Sequence, residues 1–450
     1  MVFSSISFLF VFLPVVLAAY FLVPKSWKNY CLLIASLIFY AWGEPVYVIL
    51  MVLSIVFNYA CGRVIYDNLD NRRKAKLSLI FAVAVNLSVL ALFKYCTVLH
   101  LALPIGISFY TFQAISYIAD IYMEKAEPQK NPLYFGLYIS MFPQLIAGPI
   151  VRYVDIEKQL EERRVTLNGF GIGARMFITG LAKKAILANG IGAVFSRITA
   201  PGEPTAVLTA WVGAAAYALQ IYFDFSGYSD MAIGLGYMLG FRFRENFNLP
   251  YIATSITHFW RGWHISLSTW FREYVYIPLG GNRLGRNQQI LNLLVVWTLT
   301  GIWHGASLNF LFWGFYYGVL LVLEKFVWGK FIEKLPSVLQ HIYALLLVLI
   351  GWVFFFSDNL GSAFAYLGNM FGAGSTGFAD AVTGQALFYH WLLWITAVFA
   401  CTRICRQLIR KGTAHPKLRW IAAAIYIAVF IFSVSCLITD SFNPFLYFRF

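Results

Sequence analysis

His304 lies in TLTGIWHGASLNFLFWG, at the junction of two very apolar runs, flanked by Trp303 and by Gly301, Gly305 and Ala306. Small neighbours let another helix or a ligand approach closely. A neutral imidazole in such surroundings accepts a proton from a hydroxyl, which is what acyl transfer to an alcohol requires. A histidine hydrogen-bonded between two helices is the plainer alternative, and position alone puts function only slightly ahead of it. His264 lies in HFWRGWHISLSTWFREYVYIPLGG, six residues after His258. That spacing does not bring the two imidazoles onto one helical face, which argues against a metal pair. His258 reads as a side chain snorkelling at a membrane surface, whereas His264, with two tryptophans nearby, is placed to face a buried site.

Asp224 and Asp230 occur in YFDFSGYSDMAIG, a stretch apolar enough to cross a membrane. A buried carboxylate needs a partner, so Asp224 is expected to orient a histidine or pair with an arginine of the basic segment that follows. A structural role is at least as well supported as a catalytic one. Asn246 and Asn248 in RENFNLPY can position a carbonyl or cap a turn. The stretch 242–286 is rich in arginine, including Arg272, and is where the phosphates of a CoA-type donor can be held. There is no G-x-x-x-x-G-K-[ST] and no G-x-S-x-G, and the glycines of SGYSDMAIGLGYMLG do not follow a strand, so nucleotide hydrolysis, dinucleotide binding and a serine-hydrolase elbow lack support.

The elements that must carry these residues follow from composition. Of 450 residues 60% are hydrophobic, 18% aromatic and only 12% charged, with a mean hydropathy of +0.69. A soluble domain carries about 25% charged residues, so the chain reads as an all-α polytopic membrane protein. The net charge of +14, which in a soluble protein suggests nucleic acid, is here the signature of retained cytoplasmic loops. Arg63 to Lys76 and Arg403 to Arg419 are the basic anchors expected on the cytoplasmic side, and the polar stretch 358–384 is expected as an outer loop. Spans are expected near 4–23, 30–43, 46–61, 77–98, 104–122, 170–196, 206–240, 288–304, 307–328, 340–357, 385–402 and 420–438, which places both termini outside. The first 23 residues have no basic start and read as an uncleaved first span. The six cysteines form no disulfide framework or zinc pattern.

Two segments resist a simple crossing. Residues 134–150, YFGLYISMFPQLIAGPI, are flanked by cations on both sides and broken by Pro143, Gly148 and Pro149, which favours a re-entrant element. Residues 241–287 mix six arginines with Trp260, Trp263, Trp270, Phe271, Tyr274 and Tyr276, the composition of amphipathic helices lying in the inner interface. The two are expected to form the inner mouth of a funnel or tunnel that reaches His304, lined in part by Trp263 and Arg272.

ENFNLPYIATSITHFWRGWHISLSTWFREYVYIPLGGNR, followed by LTGIWHGASLNFLFWG, closely resembles the membrane-bound O-acyltransferase family and, within it, the alginate O-acetyltransferase branch. LLIASLIFYAWGEP, LPIGISFYTFQAISYIADIY and FPQLIAGPIVRY resemble the same branch, so the likeness covers nearly the whole chain. It implies one membrane-embedded domain over 1–450, with N-terminal helices in 1–130, a re-entrant and catalytic core in 131–330, C-terminal helices in 331–450, and about 11–12 transmembrane helices around a central funnel. It also implies a catalytic His304 and a second functional position at His264. Asn246, Trp263, Arg272, Trp303 and Asp224 are the donor- and substrate-binding candidates beside them. The reaction it implies takes an acetyl group from cytoplasmic acetyl-CoA, with no bound cofactor or metal, and hands it across the inner membrane. The acceptor side is a separate SGNH-hydrolase-like acetyltransferase and a polysaccharide. D-alanyl transfer to teichoic acid from a carrier-protein thioester is the alternative within the family. A transporter is the alternative of another class, and it would show repeated halves with interrupted helices, of which the sequence has no sign.

Overall fold

Every regular element among the described residues is helical, as lipid demands of a spanning chain whose backbone N–H and C=O groups have to be satisfied within their own segment. The computed structural model describes residues 2–96, 102–146, 148–200, 205–415, 417–439 and 445–446. Residues 97 and 98 of the expected span 77–98, and residue 147 of the segment 134–150, lie outside them.

Six helices are long and apolar enough to cross a membrane: Tyr47–Asp67, Arg72–Tyr95, Leu167–Ile198, Leu308–Ile332, Ser337–Phe356 and Arg419–Thr439. Ala381–Phe388 and Trp391–Ala400, bent by 62°, make a seventh if they form one broken span. Arg419–Thr439 has a mean hydropathy of 2.6 and is only 6% buried against protein. Apolar along its length and covered by little protein, it exposes a face that suits lipid.

The expected spans 206–240 and 288–304 form the helices Val207–Leu239 and Arg286–His304, and three other expected spans are helical but fall short for physical reasons. Phe8–Leu22 and Lys28–Gly43 are short. At 1.5 Å per residue a helix of 16 residues reaches about 24 Å, against a hydrocarbon core of about 30 Å. Ile107–Tyr122 is buried along almost its whole length and carries Gln113, Ser116 and Asp120 inside, so it packs against protein and its hydropathy drops.

The described residues fall into two compact units, Met1–Gly180 with Tyr228–Glu245, and Leu181–Gly227 with Asn246–Phe450. In the first, Asn58 and Asn86 exchange side-chain amide hydrogen bonds of 3.1 and 2.8 Å between the helices Tyr47–Asp67 and Arg72–Tyr95, a polar clasp between apolar helices. The stretch 134–150 is not one helix. Pro132–Ser140 stops at Met141 (φ −52°, ψ 111°) and a four-residue turn, Phe142–Leu145, follows. Its irregular backbone is buried and served by side chains: the Phe142 N–H donates to Ser36 Oγ (3.1 Å), and the Gln144 amide donates to the Tyr138 carbonyl (2.7 Å).

In the second unit the aromatic segment departs from expectation. The short helices Ile256–Gly262 and Ile265–Phe271 carry Trp260, Trp270 and Phe271, with Trp263 in the turn between them, and all four are buried in protein, where an interfacial helix would show them to lipid. The buried Glu324 carboxylate explains the first of these helices. It accepts the N–H groups of Ile256 (2.6 Å) and Thr257 (2.9 Å) and the Thr257 hydroxyl (2.7 Å), capping the helix N-terminus with negative charge. The stretch 358–384 also holds more structure than a loop. Asn359 opens the helix Leu360–Met370 with a capping box, and Asp380 accepts the Thr209 hydroxyl at 2.7 Å.

Candidate active site

His264 is the residue before the helix Ile265–Phe271 and takes a left-handed conformation, φ 44° and ψ 56°. That region is uncommon for a residue with a Cβ and persists only where the surroundings enforce it. The enforcement comes from Asn246. Its carbonyl accepts the Ile265 N–H at 2.9 Å, and its side-chain Oδ1 accepts the Ser266 N–H (3.1 Å) and the Ser266 hydroxyl (2.9 Å). His264 Nδ1 lies 3.1 Å from the same Oδ1. A backbone N–H can only donate, so this Asn246 atom is the amide oxygen and the proton between it and the imidazole sits on Nδ1. Nε2 is therefore the acceptor nitrogen. Burial pushes the pKa of His264 from 6.5 down to about 3, because the charged imidazolium is not solvated there. The ring is a neutral imidazole of one tautomer.

Its walls are aromatic. The Phe225 ring meets it edge-on at 4.6 Å, Phe247 lies at 6.5 Å, and Trp303 at 6.3 Å. Trp303 also contacts the ring of His304 at 4.8 Å. His304 ends the helix Arg286–His304 and is buried, with Trp313 edge-on at 5.0 Å and Phe355 at 5.1 Å. The glycines around it let helices cross closely. A Cβ on Gly301 would come 2.3 Å from the Phe310 carbonyl oxygen, and one on Gly314 would come 2.3 Å from that of Trp297. Trp263 lines the neighbouring wall, with Trp352 at 4.8 Å and Phe247 at 5.1 Å.

The fold thus gathers His264, Asn246, Trp263, Trp303 and His304, and leaves two of the sequence candidates elsewhere. Arg272 is exposed and paired with its neighbour Glu273 at 2.9 Å. Asp224 meets neither a histidine nor an arginine of the following segment among its described partners: Lys184 Nζ lies 2.6 Å away, both side chains are buried, and the Leu446 N–H donates to the other carboxylate oxygen at 2.7 Å. His258 is exposed, with Nδ1 3.4 Å from the Thr254 amide. Sequence reasoning missed Ser266, Phe225, Trp313 and Phe355. Ser266 had a usable signal, standing two residues after His264 in WHISLS; the three aromatics are brought in by other helices. Among the described residues no group of three or more His, Cys, Asp or Glu side chains could hold a metal ion.

The sequence model of the membrane-bound O-acyltransferase family matches residues 124–359, more than half of the chain and all of this site. The chain belongs to the membrane-bound O-acyltransferase family. Similarity extends beyond the matched region. A protein named probable alginate O-acetylase AlgI from Azotobacter vinelandii is 40% identical over the full length of both chains. A peptidoglycan O-acetyltransferase of Helicobacter pylori is 35% identical over 83% of this chain and 80% of its own. More distant is a teichoic acid D-alanyltransferase of Bacillus subtilis, 29% identical over 59% of this chain and 73% of its own. As a membrane-bound O-acyltransferase the protein is a multi-pass helical acyltransferase, and a buried pair of histidines behind aromatic walls suits acyl chemistry that must avoid water.

Proposed function

We propose that the protein takes an acetyl group from cytoplasmic acetyl-CoA and passes it across the inner membrane, where an SGNH-hydrolase-like partner completes O-acetylation of an extracytoplasmic polysaccharide. The observation that carries this reading is the shared contact of Trp303 with His264 and His304, which puts two imidazoles in one water-poor aromatic site. In the reaction, His304 takes the proton of the acceptor hydroxyl as the oxygen attacks the thioester carbonyl. The new C–O bond forms, the C–S bond breaks, and the proton passes to the departing CoA thiolate. His264, fixed through Asn246 with Nε2 as acceptor, places the donor or acceptor beside His304. Arg272, on an exposed stretch, is suited to meeting CoA phosphates. Acetyl is favoured over D-alanyl because the relatives named as O-acetylating enzymes are more similar to this chain than the D-alanyltransferase.

His304→Ala tests the assignment. Envelope acetylation should fall by about 10²–10⁴-fold in a variant that still inserts in the membrane, while His258→Ala should leave it unchanged. Wild-type acetylation by well-expressed His304→Ala protein rules the assignment out. The donor side is tested with labelled acetyl-CoA given to inverted and to right-side-out vesicles: label should enter only from the cytoplasmic face.

A further inference from the structure

The first unit carries a concave site that the chemistry at His304 does not use. A groove of about 540 Å³ runs between the N-terminal helical stretch and the helix Lys28–Gly43, and no charged residue lines it. Its floor is Phe12, Val16 and Ala35, each exposed by 9% or less; its rims include Val15, Ile34 and Ile38, each more than half exposed. The rims follow the i, i+4 rows of their helices, so the trough lies along the helix axes. From Lys28 to Trp42 the helix rises about 21 Å, longer than one leaflet of a hydrocarbon core about 30 Å thick.

One end of this trough is basic. The connecting stretch PKSWKN, residues 24–29, holds Lys25 and Lys28 and no acid. Lys28 is held in place by the rings of Tyr20 (4.7 Å) and Phe21 (5.5 Å). Beside it Asn29 accepts a 2.6 Å hydrogen bond from Arg163 Nη1, which adds a third cation. Trp27 and Tyr30 line the groove at the same end, the residue types that settle at a membrane–water boundary. Lysines beside Trp and Tyr at such a boundary attract the phosphates of anionic lipids.

We propose that this groove binds an anionic phospholipid, with one acyl chain in the apolar trough and its head-group phosphate at Lys25 and Lys28. A bare lipid-facing helix collects whatever lipid surrounds it. A trough with a buried floor and cations at one end selects by both chain and charge. The site is separate from the acyl-transfer chemistry and does not depend on it.

The test reconstitutes the full-length protein in vesicles of equal parts phosphatidylglycerol and phosphatidylethanolamine, extracts it in mild detergent, and identifies the phospholipid retained per chain by mass spectrometry. The wild-type protein should retain a stoichiometric amount of phosphatidylglycerol. Lys25→Gln with Lys28→Gln should abolish the preference for phosphatidylglycerol. Val15→Trp with Ile38→Trp, which fills the trough from exposed rims and spares the packed floor, should abolish retention itself. Gly384→Ala, on a helix of the other unit, should change neither. Retained lipid that mirrors the vesicle composition shows an unselective shell and overturns the proposal. An unchanged preference in the lysine double variant, or unchanged retention in the tryptophan double variant, overturns it too, because the site needs both the trough and the cations.

Discussion

Asn246 fixes the imidazole of His264, eighteen positions further along the chain, by placing one amide oxygen 3.1 Å from Nδ1 while the same oxygen accepts the Ser266 N–H. A single side chain thereby sets the tautomer of the histidine and the strained backbone turn on which it stands. A hydrogen bond at one imidazole nitrogen fixes both ring orientation and proton location; here the same oxygen also holds the backbone turn, so all three fail or survive together.

Asn246→Ala should therefore behave as a loss of His264 function. With its acceptor gone, Nδ1 no longer has to carry the proton, and transfer should drop by roughly 10²-fold, the lower end of what one positioned base contributes. Asn246→Asp keeps an acceptor at that place and should retain more activity than the alanine variant. Transfer assays on membranes matched for protein amount check both, and equal activity of the two variants would contradict the tautomer argument.

The burial of His264 has a consequence for pH. The ring titrates near 6.5 when exposed and near 3 in the fold, so between those values the unfolded chain holds the extra proton and folding weakens as pH falls. The slope reaches about 1.4 kcal/mol per pH unit for one such group. Thermal unfolding in detergent should show stability falling from pH 6.5 downward, and His264→Gln should flatten that fall. Activity between pH 5 and 8 should show no limb from His264, which stays neutral throughout.

The sequence disclosed what is written in local composition and little of what depends on distant partners. Arg419–Thr439 was legible because an unbroken apolar helix with 6% of it buried carries its environment in its own residues. Ile107–Tyr122 was not, because Gln113 and Asp120 are tolerated only by the protein packed around them. Both histidines were legible in WHISLS and WHG, where the aromatic and glycine neighbours mark a tight, dry place. Trp260 and Trp263 have the spacing of an interfacial helix, yet lie inside protein, and hydrophobicity alone cannot distinguish lipid from a core. Arg272 found the adjacent Glu273, and Asp224 found Lys184 forty positions earlier, a pairing that only helix packing creates.

Gly301 offers a test of how the His304 helix is placed. A Cβ there would lie 2.3 Å from a backbone oxygen of Phe310, an atom that cannot swing aside, so Gly301→Ala should force the two helices apart at a cost of about 1–3 kcal/mol. His304 stands three residues on and should move with its helix, so both thermal midpoint and transfer should fall. Gly384 is also helical but meets nothing within 4 Å, and Gly384→Ala should be neutral or stabilising by up to about 1 kcal/mol. Thermal melts of the two variants side by side check the contrast.

The Lys184–Asp224 pair tests whether the buried carboxylate serves the structure or the donor. The two side chains are 2% and 3% exposed and 2.6 Å apart. The Phe445 ring covers the lysine at 4.6 Å, and the Leu446 N–H reaches the aspartate, so the pair ties three separated parts of the second unit together. Asp224→Asn removes the charge opposing a buried ammonium, and breaking such a pair costs about 3–5 kcal/mol. Replacing both charges by apolar residues, Lys184→Met with Asp224→Leu, should recover much of that loss, since no charge is then left buried. The protein that folds should keep its KM for the acyl donor. A variant that melts like the wild type but binds donor weakly would return Asp224 to the donor site.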